Sequence, residues 1–228
     1  MSDPELINEG KIYRRRFLLS LIIPGTVVFL MWMVWTSGLL FETDLTRLGI
    51  YPLEIGGIPG ILLSPFIHSG FSHIFDNTVP FLLLSIALFF FYREIALKIF
   101  IWNWILTGLL VWIGGRSAWH IGASGLVYGL ASFLFFSGII RKYYRLVGLS
   151  LLVVFLYGQM VWGIFPDVYK NVSWESQMLG FISGIALAII YRGQGPQAPV
   201  KVWPEEDDEE GSGEWASGGL EDGKEELR

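Results

Sequence analysis

The stretch HIGASGLVYG, residues 120–129, decides how the rest of the chain is interpreted. It lies between hydrophobic segments and opens one of them, which predicts a helix that begins near Gly122. Ser124 is there the one hydroxyl among residues with almost no side chain, which leaves room beside it for another backbone or a substrate. The N-terminus of a helix also presents unpaired N–H groups and a partial positive charge, and both favour a developing oxyanion.

The same stretch has the features of a packed membrane helix. Tyr128 follows Ser124 by one turn and lies on the same helix face. Gly125 and Gly129 form a G-x-x-x-G pattern, which lets a partner helix approach closely within a membrane. Since small residues and single serines are common in such helices, this stretch alone leaves a role in packing open beside a role in catalysis.

Composition places the chain among polytopic membrane proteins. Of its 228 residues, 53% are hydrophobic and 16% are charged, and the apolar runs approach membrane-spanning length. The absence of cysteine excludes disulfides and cysteine-based metal sites. No two histidines are four residues apart and no carboxylate completes a ligand pattern, so we expect no metal and no cofactor. Nothing resembles a nucleic-acid-binding surface.

Charge is distributed unevenly along the chain. Residues 201–228 contain eleven acidic and three basic residues, a net charge of −8, whereas residues 1–200 have a net charge of +3. We therefore predict a polar cytoplasmic segment over residues 1–16, a membrane domain over residues 17–192, and an acidic, disordered cytoplasmic tail over residues 193–228.

Six apolar spans are predicted, at about residues 17–35, 73–92, 96–113, 122–140, 146–164 and 175–191. With the N-terminus inside, eleven Lys and Arg residues up to position 201 flank the cytoplasmic ends, and three (Arg47, Arg116 and Lys170) flank the opposite ends. This bias follows the positive-inside rule and puts both termini in the cytoplasm. We expect a multi-pass protein of a bacterial plasma membrane.

The connection between the first two spans, residues 36–72, is apolar but rich in Gly and Pro. It is too broken for a spanning helix and too apolar for a solvent loop. We expect a segment that is partly inserted in the membrane and backed by protein.

Three of the predicted spans bring polar side chains to one depth, near the side opposite the cytoplasm. His73 and Asn77 share a face at the start of the second span, Ser124 starts the fourth, and Gln177 starts the sixth. Polar groups at membrane depth are costly, so they pair, face a cavity or do chemistry. A hydrogen bond that only packs helices stays open for His73 and Asn77.

The sixth span has its own G-x-x-x-G pattern, from Gly180 to Gly184, on the face that carries Gln177. If the fourth and sixth spans pack through their glycine faces, Ser124 lies next to Gln177. Each glycine pair could also face another helix, so this is one of several packings.

Three further titratable residues lie near this depth. His68 precedes the second span, and we expect it in a loop or at the membrane interface. His120 precedes the helix start, where it caps or orients the helix. Asp76 is unusual in an apolar span, and near the outer end we expect it to be solvated.

Across about residues 14–192 the chain resembles the rhomboid intramembrane serine proteases. Four ordered motifs carry the resemblance: Ser64-Pro-Phe-Ile-His68, His73-x-x-x-Asn77, Gly122-Ala-Ser-Gly125 and Ser173-Trp-Glu-Ser-Gln-Met-Leu-Gly180. The resemblance implies an all-α bundle of six transmembrane helices. It also implies that transmembrane helices of other proteins enter laterally from the lipid bilayer and are cut near the outer surface.

The resemblance assigns roles to these motif residues. Ser124 takes the place of the nucleophile, and His73 and Asn77 take the place of the pair that stabilises the oxyanion. Tyr128 fits the aromatic residue that packs on the catalytic histidine. Gly122, Gly125 and Gly180 are the supporting glycines of the motifs.

One position departs from the family pattern. Where the sixth span of rhomboids carries the histidine general base, this chain has Gln177. A glutamine amide can hold the Ser124 hydroxyl, but it does not take up a proton near neutral pH, and serine–histidine catalysis requires that transfer. By analogy with the subtilisin example, loss of the base lowers the rate by about 10⁶.

Three hypotheses follow. The first is a working rhomboid-type endopeptidase with an unusual base, for which His120 is a candidate. The second is a rhomboid-like protein that binds or retains membrane-protein clients without cutting them. The third, an unrelated six-span transporter, is disfavoured because the polar residues cluster at one depth and do not line a path across the bilayer. Neither the substrate nor the oligomeric state is specified by the sequence.

Overall fold

The computed structural model describes residues 4–157, 165 and 173–197. The α-helices among these residues are α1 (Pro4–Leu40), α2 (Gly60–Leu63), α3 (Phe71–Phe91), α4 (Ala96–Gly114), α5 (Ser124–Ile140), α6 (Tyr144–Tyr157) and α7 (Trp174–Ile190), and no β-strand occurs in this part of the chain. The predicted all-α class is therefore confirmed.

The predicted spans fall on α1 and on α3 to α7. Three of these helices are long and apolar enough to cross a membrane, namely α3, α4 and the part of α1 over Glu9–Leu40. Helices α5 and α7 are equally apolar but have 17 residues each. These lengths and compositions are those of an integral membrane protein. The end of the predicted fifth span, residues 158–164, and the tail from residue 198 lie outside the described residues.

Helix α5 is the centre of the bundle. It contacts α3, α4, α6 and α7, and its glycines Gly125 and Gly129 face both α4 and α7. Leu130, Phe133 and Leu134 of α5 are fully buried. Helix α1 lies outside this group and packs on α3, where the Trp32 indole N–H donates to the Thr78 hydroxyl at 3.0 Å.

The connection from α1 to α3 is tied to the bundle by its backbone. The Trp104 indole N–H of α4 donates to the Ile61 carbonyl at 3.1 Å, and a side chain at Gly108 would collide with Ile61. Ile50 and His120 exchange backbone hydrogen bonds of 2.9 and 2.8 Å. The expectation that protein backs this segment is confirmed. The hydrogen bonds between Ile50 and His120 also join the segment to the loop before α5.

A buried amide joins the three helices at the centre. Asn103 of α4 donates from Nδ2 to the Leu126 carbonyl of α5 at 3.0 Å. Its Oδ1 accepts from the Ser183 hydroxyl of α7 at 3.2 Å. Asn103 and Ser183 are both fully buried, so these hydrogen bonds are what make the two polar groups tolerable in the interior.

A buried guanidinium closes the opposite end of α5. Arg141 donates to the Ser137 hydroxyl and to the carbonyls of Tyr191 and Pro196, at 2.8, 2.8 and 3.0 Å. Its charge also lies over the Tyr92 ring, 5.5 Å from the ring centre. Arg141 thereby fastens the ends of α3 and α5 to the segment that follows α7.

Candidate active site

Ser124 is the first residue of α5 and is half-buried. The chain reaches it through Gly122, whose φ of +96° lies in the left-handed region. A side chain at Gly122 would lie 2.6 Å from Nε2 of His73. Position 122 therefore requires glycine both for its backbone conformation and for space. The Gly122 N–H donates to the Ser64 carbonyl at 2.9 Å, which fixes the turn against the preceding connection.

His73 and Asn77 converge on this turn from α3. The ring Nδ1 of His73 lies 3.4 Å from the Ser69 backbone N, which can only donate, so Nδ1 is the acceptor. In the neutral ring the proton is then on Nε2, the atom that faces Gly122. The Asn77 amide Nδ2 also lies near Gly122 and donates to the His73 carbonyl at 2.9 Å. Two N–H donors thus face the approach to Ser124.

Helices α5 and α7 meet through glycine on both sides. A side chain at Gly180 would overlap the Gly125 carbonyl oxygen, and one at Gly184 would overlap the Gly129 carbonyl oxygen. The predicted packing of the two G-x-x-x-G faces is confirmed. Gly125, which follows Ser124, meets the backbone carbonyl of the residue before Gln177. The side chains of Ser124 and Gln177 therefore start from the same helix interface.

Gln177 is buried, with 7% of its surface exposed. Its Oε1 has no hydrogen-bond partner among the described residues, so it does not accept a hydrogen bond from the Ser124 hydroxyl. Tyr128, also predicted for this site, is buried one turn after Ser124 on α5.

Both ring nitrogens of His120 form hydrogen bonds with residues other than Ser124. Its Nε2 lies 3.0 Å from the Arg116 carbonyl, which can only accept, so Nε2 carries the proton. Its Nδ1 accepts from the Ser173 hydroxyl at 2.5 Å. Burial lowers the pKa of His120, and the hydrogen bond to Arg116 opposes that shift. The imidazole considered as a substitute base therefore bonds to the start of α7 and not to Ser124.

The partners of His120 form a polar cluster that the sequence reasoning missed. The Ser173 and Ser176 hydroxyls are 2.7 Å apart, and Ser173 caps α7 by accepting from the Ser176 backbone N–H. Arg116 pairs with the buried carboxylate of Glu175 at 3.3 Å. A serine directly before an apolar helix is a capping signal, so Ser173 was open to prediction from the sequence.

His68 lies in the loop before α3, as predicted, and it is buried with 8% exposure. Its ring packs edge-on against His73 at 4.9 Å between centres, and neither ring nitrogen has a hydrogen-bond partner in the described part of the chain. Burial, followed by the neighbouring His73, lowers the pKa of His68 to about 3. Asp76, in contrast, is exposed and accepts from the Ser72 hydroxyl at 3.0 Å.

A cavity of about 20 Å³ lies behind the start of α5. Its polar lining includes Ser64, Thr107, His120 and Ser176, and Thr107 Oγ1 has no protein partner within the described residues. The space matches one water molecule with several polar neighbours. The whole arrangement can hold a carbonyl oxygen beside the Ser124 hydroxyl. Around that hydroxyl, the described residues place no imidazole nitrogen as a hydrogen-bond acceptor.

Comparisons with known proteins find a family and several relatives. A family model described as the Rhomboid domain matches residues 57–194. The uncharacterized protein Rv1337 of Mycobacterium tuberculosis is 33% identical over 178 residues, which are 72% of this chain and 72% of the relative. The uncharacterized protein ML1171 of Mycobacterium leprae is 30% identical over 190 residues, 78% of this chain and 73% of the relative.

Proposed function

The chain belongs to the rhomboid family, and from that premise we propose that it binds transmembrane helices of other membrane proteins at Ser124. Such helices enter laterally from the bilayer and present a backbone carbonyl to the start of α5. The N–H donors of His73 and Asn77 hold the carbonyl oxygen. Gly122 leaves the space that the His73 ring occupies beside this turn.

We further propose that the protein hydrolyses such helices very slowly or not at all. The observation that carries this proposal is the hydrogen bonding of the His73 and His120 imidazoles. His73 directs a donor toward the turn, and His120 spends its acceptor on Ser173. Gln177 starts from the same α5–α7 interface as Ser124, and its amide is not a base. A serine without a proton acceptor is a weak nucleophile, and the leaving amine also lacks a proton donor.

A second candidate function, full endopeptidase activity near the outer membrane surface, is favoured by one observation. The serine, its glycine turn and both candidate oxyanion donors are all present together. A left-handed glycine turn beside a histidine donor has a clear use if a carbonyl is polarised there.

Reactivity of Ser124 separates the two functions. We expect full-length protein in proteoliposomes to show no labelling by a fluorophosphonate and no cleavage of a transmembrane substrate. Gln177→His should raise both by at least about 10²-fold, since a positioned general base contributes on that scale. Adding Ser124→Ala should abolish the gain. If the unmodified protein already labels and cleaves as fast as the Gln177→His variant, it is an endopeptidase and the binding-only function is wrong.

We also propose that both termini are cytoplasmic, in a bacterial plasma membrane. The charge bias of the loops supports this orientation. The chain contains no cysteine, so single-cysteine variants report position without background. In intact cells, a membrane-impermeant maleimide should label Glu54→Cys and spare Glu9→Cys. The opposite pattern would invert the topology.

A further inference from the structure

A groove of about 300 Å³ lies between the start of α1 and the end of α3. Three arginines (Arg15, Arg16 and Arg93) and apolar side chains that include Leu19, Phe89 and Phe90 line it. On α1 the lining positions are spaced by three to four residues and therefore share one helix face. Arg14, on the same turn, does not line the groove.

The groove is positively charged, and no carboxylate of the described residues forms an ion pair with its arginines. Among the described residues, the ion pair present is that of Arg116 with Glu175, far along the chain from this groove. The Arg16 guanidinium lies over the Tyr13 ring, 5.8 Å from its centre, and this uncharged ring does not neutralise the arginine. All three lining arginines are exposed. An anionic ligand would therefore meet three guanidinium groups without displacing a carboxylate.

The position of the groove identifies the type of ligand. The apolar run of α1 begins at Phe17 and that of α3 ends at Phe91, so the arginines lie where the hydrocarbon region gives way to the headgroups. Leu19 is exposed below them and Phe89 and Phe90 are half-buried. A ligand that fits both the arginines and the apolar wall carries a phosphate joined to alkyl chains.

We propose that this groove binds one anionic phospholipid, with its phosphate between Arg15 and Arg93 and an acyl chain against Leu19, Phe89 and Phe90. Guanidinium groups pair well with phosphate oxygens. Basic pockets beside transmembrane helices bind anionic headgroups in the same way. The site is separate from Ser124 and does not depend on whether the protein hydrolyses anything.

The acidic stretch over residues 205–210 is the competing occupant. The described chain ends nearby, because Gly195 packs beside Ile95, two residues after Arg93. Six consecutive carboxylates match the charge of the groove, but they leave its apolar wall uncovered. A phospholipid satisfies both the arginines and the wall, so the observations favour lipid.

Lipid titration of the full-length protein tests the proposal. Purified protein in neutral detergent micelles is titrated with dioctanoyl-phosphatidylglycerol or dioctanoyl-phosphatidylcholine, and bound lipid is counted by native mass spectrometry. We expect one saturable site that prefers the glycerol lipid. Arg15→Gln should weaken it about fivefold and Arg15→Gln with Arg93→Gln about thirtyfold, since each basic residue contributes on that scale near a headgroup. Arg14→Gln is the matched control and should stay within about twofold.

Three results would overturn the proposal. Equal losses for Arg14→Gln and Arg15→Gln would mean diffuse attraction without a site. Equal affinity for the two lipids would mean that the arginines do not select charge. A several-fold gain in lipid affinity when residues 205–210 are all changed to Gln or Asn would mean that the acidic stretch, and not lipid, occupies the groove in the native protein.

Discussion

Gly180→Ala tests the helix packing on which the candidate site depends. A β-carbon at this position would overlap the Gly125 carbonyl oxygen and lie 2.7 Å from its carbonyl carbon. Carbon atoms in good contact are about 3.5–4.0 Å apart, so α5 and α7 must separate by about 1 Å. The obstacle is backbone inside a helix and does not rotate away.

The expected cost follows from two opposing effects. Overpacking a close interface costs up to about 3 kcal/mol, while alanine improves helix propensity by about 1 kcal/mol. The net loss is about 2 kcal/mol, which lowers the unfolding midpoint by about 4–8 °C for a chain of this length. The same 1 Å shift moves Ser124 relative to Gln177, and a displacement of that size can reduce catalysis about 10²-fold.

Gly25→Ala is the matched control. Gly25 lies within α1, and a β-carbon there meets nothing within 4 Å. Its substitution should leave stability unchanged or raise it by up to about 1 kcal/mol. The assays are thermal unfolding in detergent and, in the Gln177→His background, fluorophosphonate labelling. If Gly180→Ala and Gly25→Ala behave alike in both assays, α5 and α7 do not meet as described and the site is wrongly assembled.

Three further predictions concern buried polar groups. His68 stays neutral in the fold because burial lowers its pKa from 6.5 to about 3, whereas in the unfolded chain it takes up a proton near pH 6.5. The free energy of unfolding should therefore fall by about 1.4 kcal/mol per pH unit below pH 6.5. In denaturant titrations between pH 7 and pH 5, His68→Gln should show a shallower dependence of this free energy on pH. Arg141→Lys keeps the charge but loses the planar set of donors, and it should cost about 2 kcal/mol in thermal unfolding, whereas Arg192→Lys on the exposed chain should cost nothing measurable. Asn103→Leu leaves the Ser183 hydroxyl without its acceptor and removes the side-chain hydrogen bond to the Leu126 carbonyl, so it should destabilise by about 1–3 kcal/mol in thermal unfolding. An unchanged stability would show that this buried bridge contributes nothing.

Local spacing in the sequence was enough to predict the centre of the fold. Glycines four residues apart on the fourth and sixth spans indicated close contact, and α5 and α7 do meet through Gly125 and Gly180. The spacing of His73 and Asn77 likewise put both on one face of α3, and that face is turned to Gly122. These predictions succeeded because each depends on helix periodicity and on the size of a side chain.

The remaining features depend on contacts between distant parts of the chain. The acceptor of His120 is used by Ser173, 53 residues later, and no local pattern specifies that partner. Arg141 belongs to a basic run that is typical of a cytoplasmic flank, yet it is buried because the end of α7 supplies carbonyl acceptors. His68 is buried because the connection before α3 folds back on the bundle. Sequence patterns do not indicate how such a connection turns.

The bridge between α4, α5 and α7 has a consequence for biogenesis. Helix α7 is the last of these to leave the ribosome, and the Ser183 hydroxyl that completes the Asn103 amide arrives with it. Until then, the glycine face of α5 and the side chain of Asn103 are open to lipid or to a chaperone of the insertion machinery. The core is therefore sealed only once α7 has been made, and a chain interrupted before Trp174 keeps the Asn103 amide oxygen without its Ser183 partner at membrane depth, which is costly.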